Sequence, residues 1–455
     1  MKDLVKKYNK PVPRYTSYPT VPNWDLESFE TSKYLDRLDE AAASGAGRRG
    51  IAVYIHLPYC ESLCTYCGCN TRITVNHKVE GPYIDAVTAE WRMYLERLGE
   101  KPLIREIHLG GGTPTFFSPE QLTRLISNVT DDCEVSEAAS FSFEAHPANT
   151  TRAHLLALRK AGFDRLSLGV QDFDEKVQKA INRWQTPEDV HRVTEEARSL
   201  GFRSVNFDLV YGLPFQSATG FRQTVEEVMR MRPDRIALYS YAHVPWKHPG
   251  QRAYSENDLP DADAKLALFT AGRDAFRKAG YVSIGLDHFS LPADSLTEAY
   301  GKGKVHRNFM GYTDLKTDLL IGLGVSAISD LGTAYGQNAK SVEGYLEKIN
   351  GGKCPVVKGH LSDATDIILG KHILNLMCRH ETDWESETPE VRAFMDAAAE
   401  NFSCFVQDGL AVLTGQNGRT LKITEKGRIF VRNIAEVIDK YRRPVEEKNQ
   451  FASAI

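Results

Sequence analysis

The chain has 455 residues, and its 56 lysines and arginines nearly balance its 60 aspartates and glutamates, which leaves a net charge of −4. This balance provides no general attraction for nucleic acid or for an anionic membrane, so neither is expected as a partner. Hydrophobic residues at 42% and charged residues at 25% are typical of a globular protein. The length predicts about two to four domains.

The first residues of the chain carry no apolar segment of the kind found in a signal peptide. The longest apolar run, near residues 319–328, is too short to span a bilayer. We therefore expect a cytoplasmic protein with no membrane partner, and a monomer is the default expectation.

Residues 1–48 are predicted to form an arm followed by one helix. Pro11, Pro13, Pro19 and Pro22 break the first part, which should run extended across other surfaces. A glycine-rich stretch at 45–50 marks the end of this region.

An alternation of strands and helices begins at residue 51. The predicted strands are 51–57, 106–109, 140–144, 165–170, 204–209 and 235–241. The helices predicted between them include 83–98, 119–128, 151–160, 187–200 and 220–231. This order indicates an α/β fold with a parallel sheet, although it does not by itself distinguish an open sheet from a barrel. In both cases ligands bind at the carboxyl ends of the strands.

The remaining chain is predicted to form an extension and a separate C-terminal domain. A helix at 261–279 and apolar pieces at 281–287 and 319–328 belong to the extension. Helical patterns follow from about 361, and 411–424 is predicted to be a hairpin because Asn417-Gly418 is a strong turn signal. The predicted domains are therefore 1–48, 49–360 with a barrel core at about 51–245, and a mostly helical, winged-helix-like 361–455.

Four cysteines lie within ten residues directly after the first strand: Cys60, Cys64, Cys67 and Cys69. Disulfides are rare in a reducing compartment, so this grouping indicates metal binding. Three thiolates on one short loop can hold three irons of a cubane cluster and leave the fourth iron open to a small molecule. A zinc site is an alternative, but structural zinc usually needs four ligands from two separated pairs. Plain buried thiols are a third alternative, and this is the interpretation for the dispersed Cys133, Cys354, Cys378 and Cys404.

A glycine motif follows the second predicted strand, at Gly110, Gly111, Gly112 and Thr113. Consecutive glycines let the backbone approach a ligand closely and expose its N–H groups, although a purely structural turn is the alternative. Polar residues also follow later strands: Glu144, Gln171, Arg183 and Asp208. Each could be only a helix cap or a loop residue, but their shared position at strand ends favours ligand binding.

The cysteine spacing at the end of a first strand is similar to the signature of the radical S-adenosylmethionine (SAM) enzymes. The resemblance implies a partial (β/α)6 barrel of the TIM type and a 4Fe–4S cluster that binds SAM. It also implies reductive cleavage of SAM to a 5′-deoxyadenosyl radical that abstracts hydrogen. The glycine motif resembles the segment that binds the methionine end of SAM in this superfamily.

Further motifs resemble those of the oxygen-independent coproporphyrinogen III oxidase family over nearly the whole chain. They lie at residues 13–20, 54–56, 67–70, 108–115, 169–173, 208–214, 241–245, 285–289, 306–309 and 324–329. This resemblance implies haem biosynthesis, with two propionates of coproporphyrinogen III becoming vinyl groups to give protoporphyrinogen IX. It also implies an electron donor such as flavodoxin or ferredoxin.

The same resemblance implies two SAM molecules. Tyr54, Gly111, Glu144 and Ile328 match contacts of the SAM bound to the cluster, whereas the matches for the second SAM are Tyr66, Gly112, Thr113, Gln171, Arg183, Ala242 and, less surely, Asp208. Tyr54, His56, Cys69 and Glu144 are the expected catalytic residues, and Cys60, Cys64 and Cys67 the cluster ligands. Arg14, His56, His306 and Arg307 are candidates for binding the propionates. Met310 departs from the family pattern, which has glutamine there.

Two other functions fit the same fold. One is a different radical SAM enzyme acting on tetrapyrroles, and the other is a haem chaperone. The chaperone relatives usually have an aromatic residue two positions after the third cysteine, where this chain has Cys69. This difference, with the arm and the long C-terminal region, favours the oxidase.

Overall fold

The computed structural model describes residues 2–24 and 29–442. Met1 and residues 25–28 of the predicted arm lie outside this range, as do residues 443–455 of the predicted C-terminal domain. The first part of the chain contains the helices α1 (Lys2–Tyr8), α2 (Thr31–Ala43) and α3 (Ala46–Arg49). One helix was predicted here, so the four-residue α3 is additional, and so is α1. It forms because Val5 and Tyr8, one turn apart, are both buried.

The central part of the chain alternates strands and helices. Its elements are β1 (Ile51–Leu57), β2 (Tyr59–Cys60), β3 (Arg72–Ile73), α4 (Glu80–Leu98), β4 (Leu103–Gly111), α5 (Pro119–Thr130), β5 (Glu134–Ala145), α6 (Arg152–Lys160), β6 (Arg165–Gln171), α7 (Glu175–Ile181), α8 (Pro187–Ser199), β7 (Ser204–Tyr211), α9 (Ala218–Met231) and β8 (Arg235–Ser240). The short helix α7 was not predicted. Strand β5 begins six residues before its predicted start. Residues 134–139 were missed because they are largely exposed and lack an apolar pattern.

The extension that follows is a mixture of short elements. These are α10 (Ala262–Lys278), β9 (Val282–Ile284), β10 (His288–Ser290), α11 (Ser295–Gly301), β11 (His306–Asn308), β12 (Gly311–Thr313), β13 (Leu319–Leu323), β14 (Ile328–Asp330), β15 (Ala334–Asn338), α12 (Val342–Asn350) and β16 (Val356–Leu361). The apolar run at 319–328 forms two strands rather than one. Gly324 and Ser326, both with positive φ, turn the chain between them.

Within the described residues, twelve strands form one sheet in the order β16-β15-β14-β13-β1-β4-β5-β6-β7-β8-β10-β9. The six predicted strands, β1 and β4 to β8, are parallel neighbours, and β13 adds a parallel partner on the other side of β1. The ends of this order, β16 and β9, do not pair with each other, so the barrel stays open. The predicted partial barrel is therefore confirmed. Its carboxyl edge places residues 56–57, 110–113, 144–145, 171 and 208–211 side by side.

The C-terminal region contains α13 (Ala364–Arg379), β17 (Glu381–Asp383), α14 (Pro389–Ala399), α15 (Ser403–Gln407), β18 (Ala411–Thr414), β19 (Thr420–Ile423) and α16 (Val431–Ala435). The predicted hairpin is present as β18 and β19, and the unpredicted β17 adds a third strand. Helices beside a small antiparallel sheet agree with the predicted helical, winged-helix-like character.

Two large hydrophobic cores organise the described chain. One fills the barrel and its surrounding helices. The other joins Val5, Tyr8, Val12, Tyr15 and Tyr18 of the arm to the C-terminal helices and sheet. The arm is thus held by the C-terminal region, which fixes its path across the mouth of the barrel.

The described residues include no helix that is long and apolar enough to cross a membrane. The dispersed cysteines are buried at Cys378 and partly buried at Cys133, Cys354 and Cys404. This burial is typical of small apolar side chains.

Candidate active site

The four clustered cysteines lie on one loop between β1 and α4. Strands β2 and β3 pair in parallel and close this loop at its base. Cys60, Cys64 and Cys67 are half-buried free thiols, whereas Cys69 is exposed. The backbone N–H of Cys69 donates to Sγ of Cys67 at 3.4 Å. Cys69 therefore lies beside the group of three.

The donor chemistry of this loop fits an iron–sulfur cluster. Thiolates are the ligands of such clusters, and the loop supplies three from adjacent turns. Nη1 of Arg183 lies 3.7 Å from Sγ of Cys64, so a cation stands beside the sulfur ligands. Within residues 2–24 and 29–442, no three histidine, cysteine, aspartate or glutamate side chains converge closely enough to hold a single metal ion. The three thiols on this one loop are suited to a cluster of several irons.

The glycine motif packs against the cysteine loop. The N–H groups of Gly112 and Thr113 donate to the carbonyls of Leu57 and Tyr59, at 2.8 and 3.0 Å. A Cβ on Gly112 would lie 2.6 Å from the backbone of Pro58, so only glycine fits there. The expectation that this motif exposes its N–H groups is therefore wrong for these two, because they bind the neighbouring loop.

Two cavities open on either side of the cysteine loop. The larger, of about 940 Å³, is lined by Tyr54, His56, Gly111, Glu144 and Ile328. The smaller, of about 550 Å³, is lined by Tyr66, Gly112, Thr113, Gln171, Arg183, Asp208 and Ala242. Cys64, Cys67, Cys69, Gly111 and Glu144 line both. The structure therefore brings the two groups of residues proposed for the two SAM molecules into two cavities that meet at the cysteines.

A hydrogen-bonded chain orients Tyr54 and His56. Nε2 of His56 lies 2.8 Å from the carbonyl of Asn70, which requires this nitrogen to carry the proton. Nδ1 then accepts from the hydroxyl of Tyr54 at 3.0 Å. Burial lowers the pKa of His56, so the ring is neutral near pH 7.

Glu144 is held by groups that favour its ionised form. Burial opposes ionisation, but the side chain of His108, 3.5 Å away, and the N–H of Gly111 at 3.3 Å together lower the pKa of Glu144. The ring of His108 also stacks against Tyr54, with the two centroids 5.9 Å apart. No role was assigned to His108 from the sequence. Its position could have been inferred from the two-residue period of β4, because side chains two residues apart point to the same face of a strand, and His108 lies two residues before Gly110.

Two residues of the smaller cavity, Arg183 and Asp208, are held by hydrogen bonds to residues of β6 and β7. Nη2 of Arg183 donates to the carbonyl of Gly169 at 2.6 Å. Asp208 accepts hydrogen bonds from Ser167 and Asn206, at 2.8 and 2.9 Å. Burial, followed by the charge of Glu144, raises the pKa of Asp208 to about 6.

The four candidates for propionate binding are placed differently. His56 lines the larger cavity and Arg14 lines the smaller one. Arg307 is buried over the ring of Tyr312, and its Nη1 lies 3.8 Å from Asp287. Neither Arg307 nor His306, both on β11, is among the residues that line the two cavities. Met310, in contrast, lines the larger cavity.

Comparison with known proteins agrees with this geometry. The model of the radical SAM superfamily matches residues 54–228. A relative from Pseudomonas aeruginosa, named oxygen-independent coproporphyrinogen III oxidase, is 36% identical to this chain. The match covers 100% of this chain and 98% of the relative. The Escherichia coli relative of the same name is 34% identical, and the match covers 99% of this chain and 98% of that relative.

A solved structure extends this likeness to the fold. The structure of coproporphyrinogen III oxidase from Escherichia coli, described as a radical SAM enzyme, is 32% identical with a TM-score of 0.88. The match covers 97% of this chain and 99% of that one. Radical SAM proteins use a 4Fe–4S cluster and SAM, and the three thiols and adjoining cavities described above fit both. The chain belongs to the oxygen-independent coproporphyrinogen III oxidase family of the radical SAM superfamily.

Proposed function

We propose that this protein converts coproporphyrinogen III to protoporphyrinogen IX without oxygen, by oxidative decarboxylation of two propionate side chains to vinyl groups. The observation that carries this proposal is the meeting of two cavities at Cys64 and Cys67. The names of relatives that match over the full length support the choice of substrate.

The chain supplies the ligands and the surroundings for this chemistry. Cys60, Cys64 and Cys67 would hold the cluster and leave one iron without a protein ligand. When bound, the cluster and SAM supply a 5′-deoxyadenosyl radical that can remove hydrogen from an unactivated C–H bond. The carboxylate of Glu144 is suited to accept hydrogen bonds from the ammonium group of SAM. Apolar Ile328 and Leu320 line the same cavity and would limit the access of water to a reactive species.

The smaller cavity is proposed to bind a second SAM. It contains the guanidinium of Arg183, the amide of Gln171 and the carboxylate of Asp208, which are suited to the carboxylate and hydroxyl groups of such a ligand. Equilibrium dialysis of the reconstituted protein should give two SAM per chain. Ala242 lines the smaller cavity and not the larger one. Ala242→Leu, which fills part of the smaller cavity, should therefore reduce the number of bound SAM molecules to one, with the iron content unchanged. A wild-type stoichiometry of one would contradict the proposal.

The electron for SAM cleavage must come from a partner. A one-electron acceptor must then take the electron that remains when each substrate radical loses CO2 and forms its vinyl group. We include in the proposal a one-electron donor such as flavodoxin or ferredoxin, acting on a monomeric enzyme in the cytoplasm. Size-exclusion chromatography with light scattering tests the monomer, and cluster reduction by each purified donor tests the partner.

The decisive experiment is an anaerobic assay of the reconstituted protein with SAM, a reductant and coproporphyrinogen III. Vinyl-bearing product and two molecules of CO2 for each porphyrin are expected, with Cys64→Ser as the inactive control. Cleavage of SAM without vinyl product would favour another tetrapyrrole-directed radical enzyme. Tight stoichiometric haem binding without turnover would favour a haem chaperone.

A further inference from the structure

A buried carboxylate lies behind the wall of the larger cavity. Glu90, in α4, is 0% exposed in the folded chain. Its Oε2 accepts hydrogen bonds from the N–H of Gly324 at 2.7 Å and from the hydroxyl of Tyr345 at 2.6 Å. Its Oε1 accepts from Nδ2 of Asn338 at 2.7 Å. Donors from three parts of the chain therefore converge on one side chain that lines neither cavity beside the cysteine loop.

These hydrogen bonds hold the turn between β13 and β14, at residues 324–327. Nδ2 of Asn338 also donates to the carbonyl of Gly324 at 2.8 Å, so the N–H and the carbonyl of this glycine are both bound. Gly324 has φ +93, and a Cβ there would lie 2.6 Å from the carbonyl oxygen of His56 and 2.6 Å from the hydroxyl of Tyr83. The turn therefore packs directly against the end of β1.

A second side chain of α4 ties this turn to β1. The hydroxyl of Tyr83 donates to the carbonyl of His56 at 2.7 Å and accepts from the N–H of Val325 at 2.9 Å. Tyr83 and Glu90 are two helical turns apart and lie on the same face of α4. The helix that follows the cysteine loop thus holds both the end of β1 and the turn at 324–327.

The turn and the strands that follow it form part of the wall of the larger cavity. Ser326, Ile328 and Gln337 line this cavity, and Ile328 pairs with Gln337 across β14 and β15. Nε2 of Gln337 donates to the carbonyl of Ser326 at 3.2 Å. Ser326 has φ 59, a conformation that residues other than glycine rarely adopt. Because such a conformation persists only where its surroundings impose it, this part of the wall depends on the bonds that hold the turn.

The ionised form of Glu90 is the one suited to this role. Burial raises the pKa of Glu90 to about 7, and the three hydrogen bonds oppose that rise. Hydrogen bonds to a charged acceptor are stronger than those to a neutral one. Because donors approach both oxygens, a glutamine here would direct its amide nitrogen at one of those donors.

We propose that Glu90 is a positioning residue for SAM in the larger cavity. It fixes the turn at 324–327, and the turn fixes Ser326 and Ile328 on the cavity wall. The inference rests on the proposed function, because SAM is assigned to this cavity there. It adds a residue that lines neither cavity and acts through the backbone of Gly324.

The test uses the anaerobically reconstituted holoenzyme at pH 8, where most of the Glu90 carboxylate is ionised. In Glu90→Gln without SAM, amide hydrogen exchange in a peptide containing residues 324–327 should be about tenfold faster. Affinity for SAM at the cluster should fall about tenfold, because binding must then order the turn. The change that SAM causes in the EPR spectrum of the reduced cluster measures this affinity. The iron content, and the affinity of the smaller cavity in equilibrium dialysis, should stay at wild-type values.

Two control variants separate positioning from general destabilisation. Glu80→Gln changes another buried carboxylate of α4, which binds the N–H of Ser118 at 2.9 Å, and should leave the affinity for SAM unchanged. Tyr345→Phe removes one donor to Glu90 and leaves the hydrogen bond from Gly324. It should lower the thermal midpoint and keep the affinity for SAM. A loss of affinity in either control equal to that in Glu90→Gln would overturn the positioning role.

Asn338→Ala provides a second route to the same turn. It removes the hydrogen bonds from this amide to Glu90 and to Gly324, so it should also weaken SAM binding at the cluster, and it decides the test if Glu90→Gln does not fold. Wild-type affinity in the folded variants would overturn the proposal. None of these measurements needs a porphyrin. Failure of the wild type to convert coproporphyrinogen III would overturn the proposed function instead, and the SAM data would still decide the role of Glu90.

Discussion

The hydroxyl of Tyr15 donates a buried hydrogen bond to Oδ2 of Asp439 at 3.0 Å, which joins the arm to the end of the described chain. Asn433 makes a similar link, with its amide donating to the carbonyl of Tyr8 at 2.9 Å. These contacts explain how a segment rich in proline, with few hydrogen bonds of its own, keeps a fixed path to the barrel mouth. The C-terminal region therefore contributes to the site without lining it.

Tyr15→Phe should loosen the arm. Loss of the hydroxyl leaves a buried carboxylate with one donor fewer, which costs about 1–3 kcal/mol of folding free energy. Limited trypsin digestion should then cleave after Arg14 faster than in the wild type, and the thermal midpoint should fall. Tyr281→Phe, which removes a buried hydrogen bond to Pro233 in the barrel, is the matched control and should leave cleavage at Arg14 unchanged. Equal cleavage in Tyr15→Phe and wild type would show that the arm is held by packing alone.

Cys64→Ser should abolish both the cluster and the activity. One iron would lose its protein thiolate, and serine is a poor substitute for a soft ligand. Iron, inorganic sulfide and visible absorption of the anaerobically reconstituted variant are the measurements. Cys133→Ser, at a half-buried cysteine whose thiol donates to the carbonyl of Val129, is the control and should retain the cluster. Wild-type iron and turnover in Cys64→Ser would refute the ligand assignment.

Cys69→Ser should keep the cluster but lower the activity. Its backbone N–H, which contacts Sγ of Cys67, is unchanged by the substitution, so the cluster ligands stay in place. The lost thiol borders both cavities, where a change should affect turnover. Iron content and turnover are measured on the same preparation. Loss of most iron would mean that Cys69 is a ligand.

Glu144→Gln should weaken SAM binding by about ten- to a hundredfold, since a charge-assisted hydrogen bond is worth about 1.5–3 kcal/mol. His108 and the Gly111 N–H lower the pKa of Glu144, so the carboxylate loses its charge only when the pH falls below its usual range. Protonation of Glu144 should therefore cause no loss of SAM affinity in the wild type when the pH is lowered from 8 to 6. Equilibrium dialysis at several pH values is the measurement, and an affinity in Glu144→Gln equal to wild type would remove Glu144 from the SAM site.

Much of the barrel could be predicted because its signals are local. Each of the six parallel strands contains a short apolar segment that could be recognised, and the carboxyl ends of parallel strands then place Tyr54, Glu144 and Asp208 at one edge. Strand β17 and helix α7 were missed because their few residues carry too little periodicity. The roles of His306 and Arg307 towards propionates stay predictions, because a motif identifies residues without indicating which cavity they face.

The amino-acid sequence determined the cysteine loop, the order of strands and the residues at their ends, since spacing along the chain controls all three. Only the tertiary structure decided that these residues surround two cavities and that the arm is fastened by the C-terminal region. It also brought Glu90, Gly324 and Asn338 together. Contacts between positions hundreds of residues apart depend on how whole elements pack, and no local pattern records them.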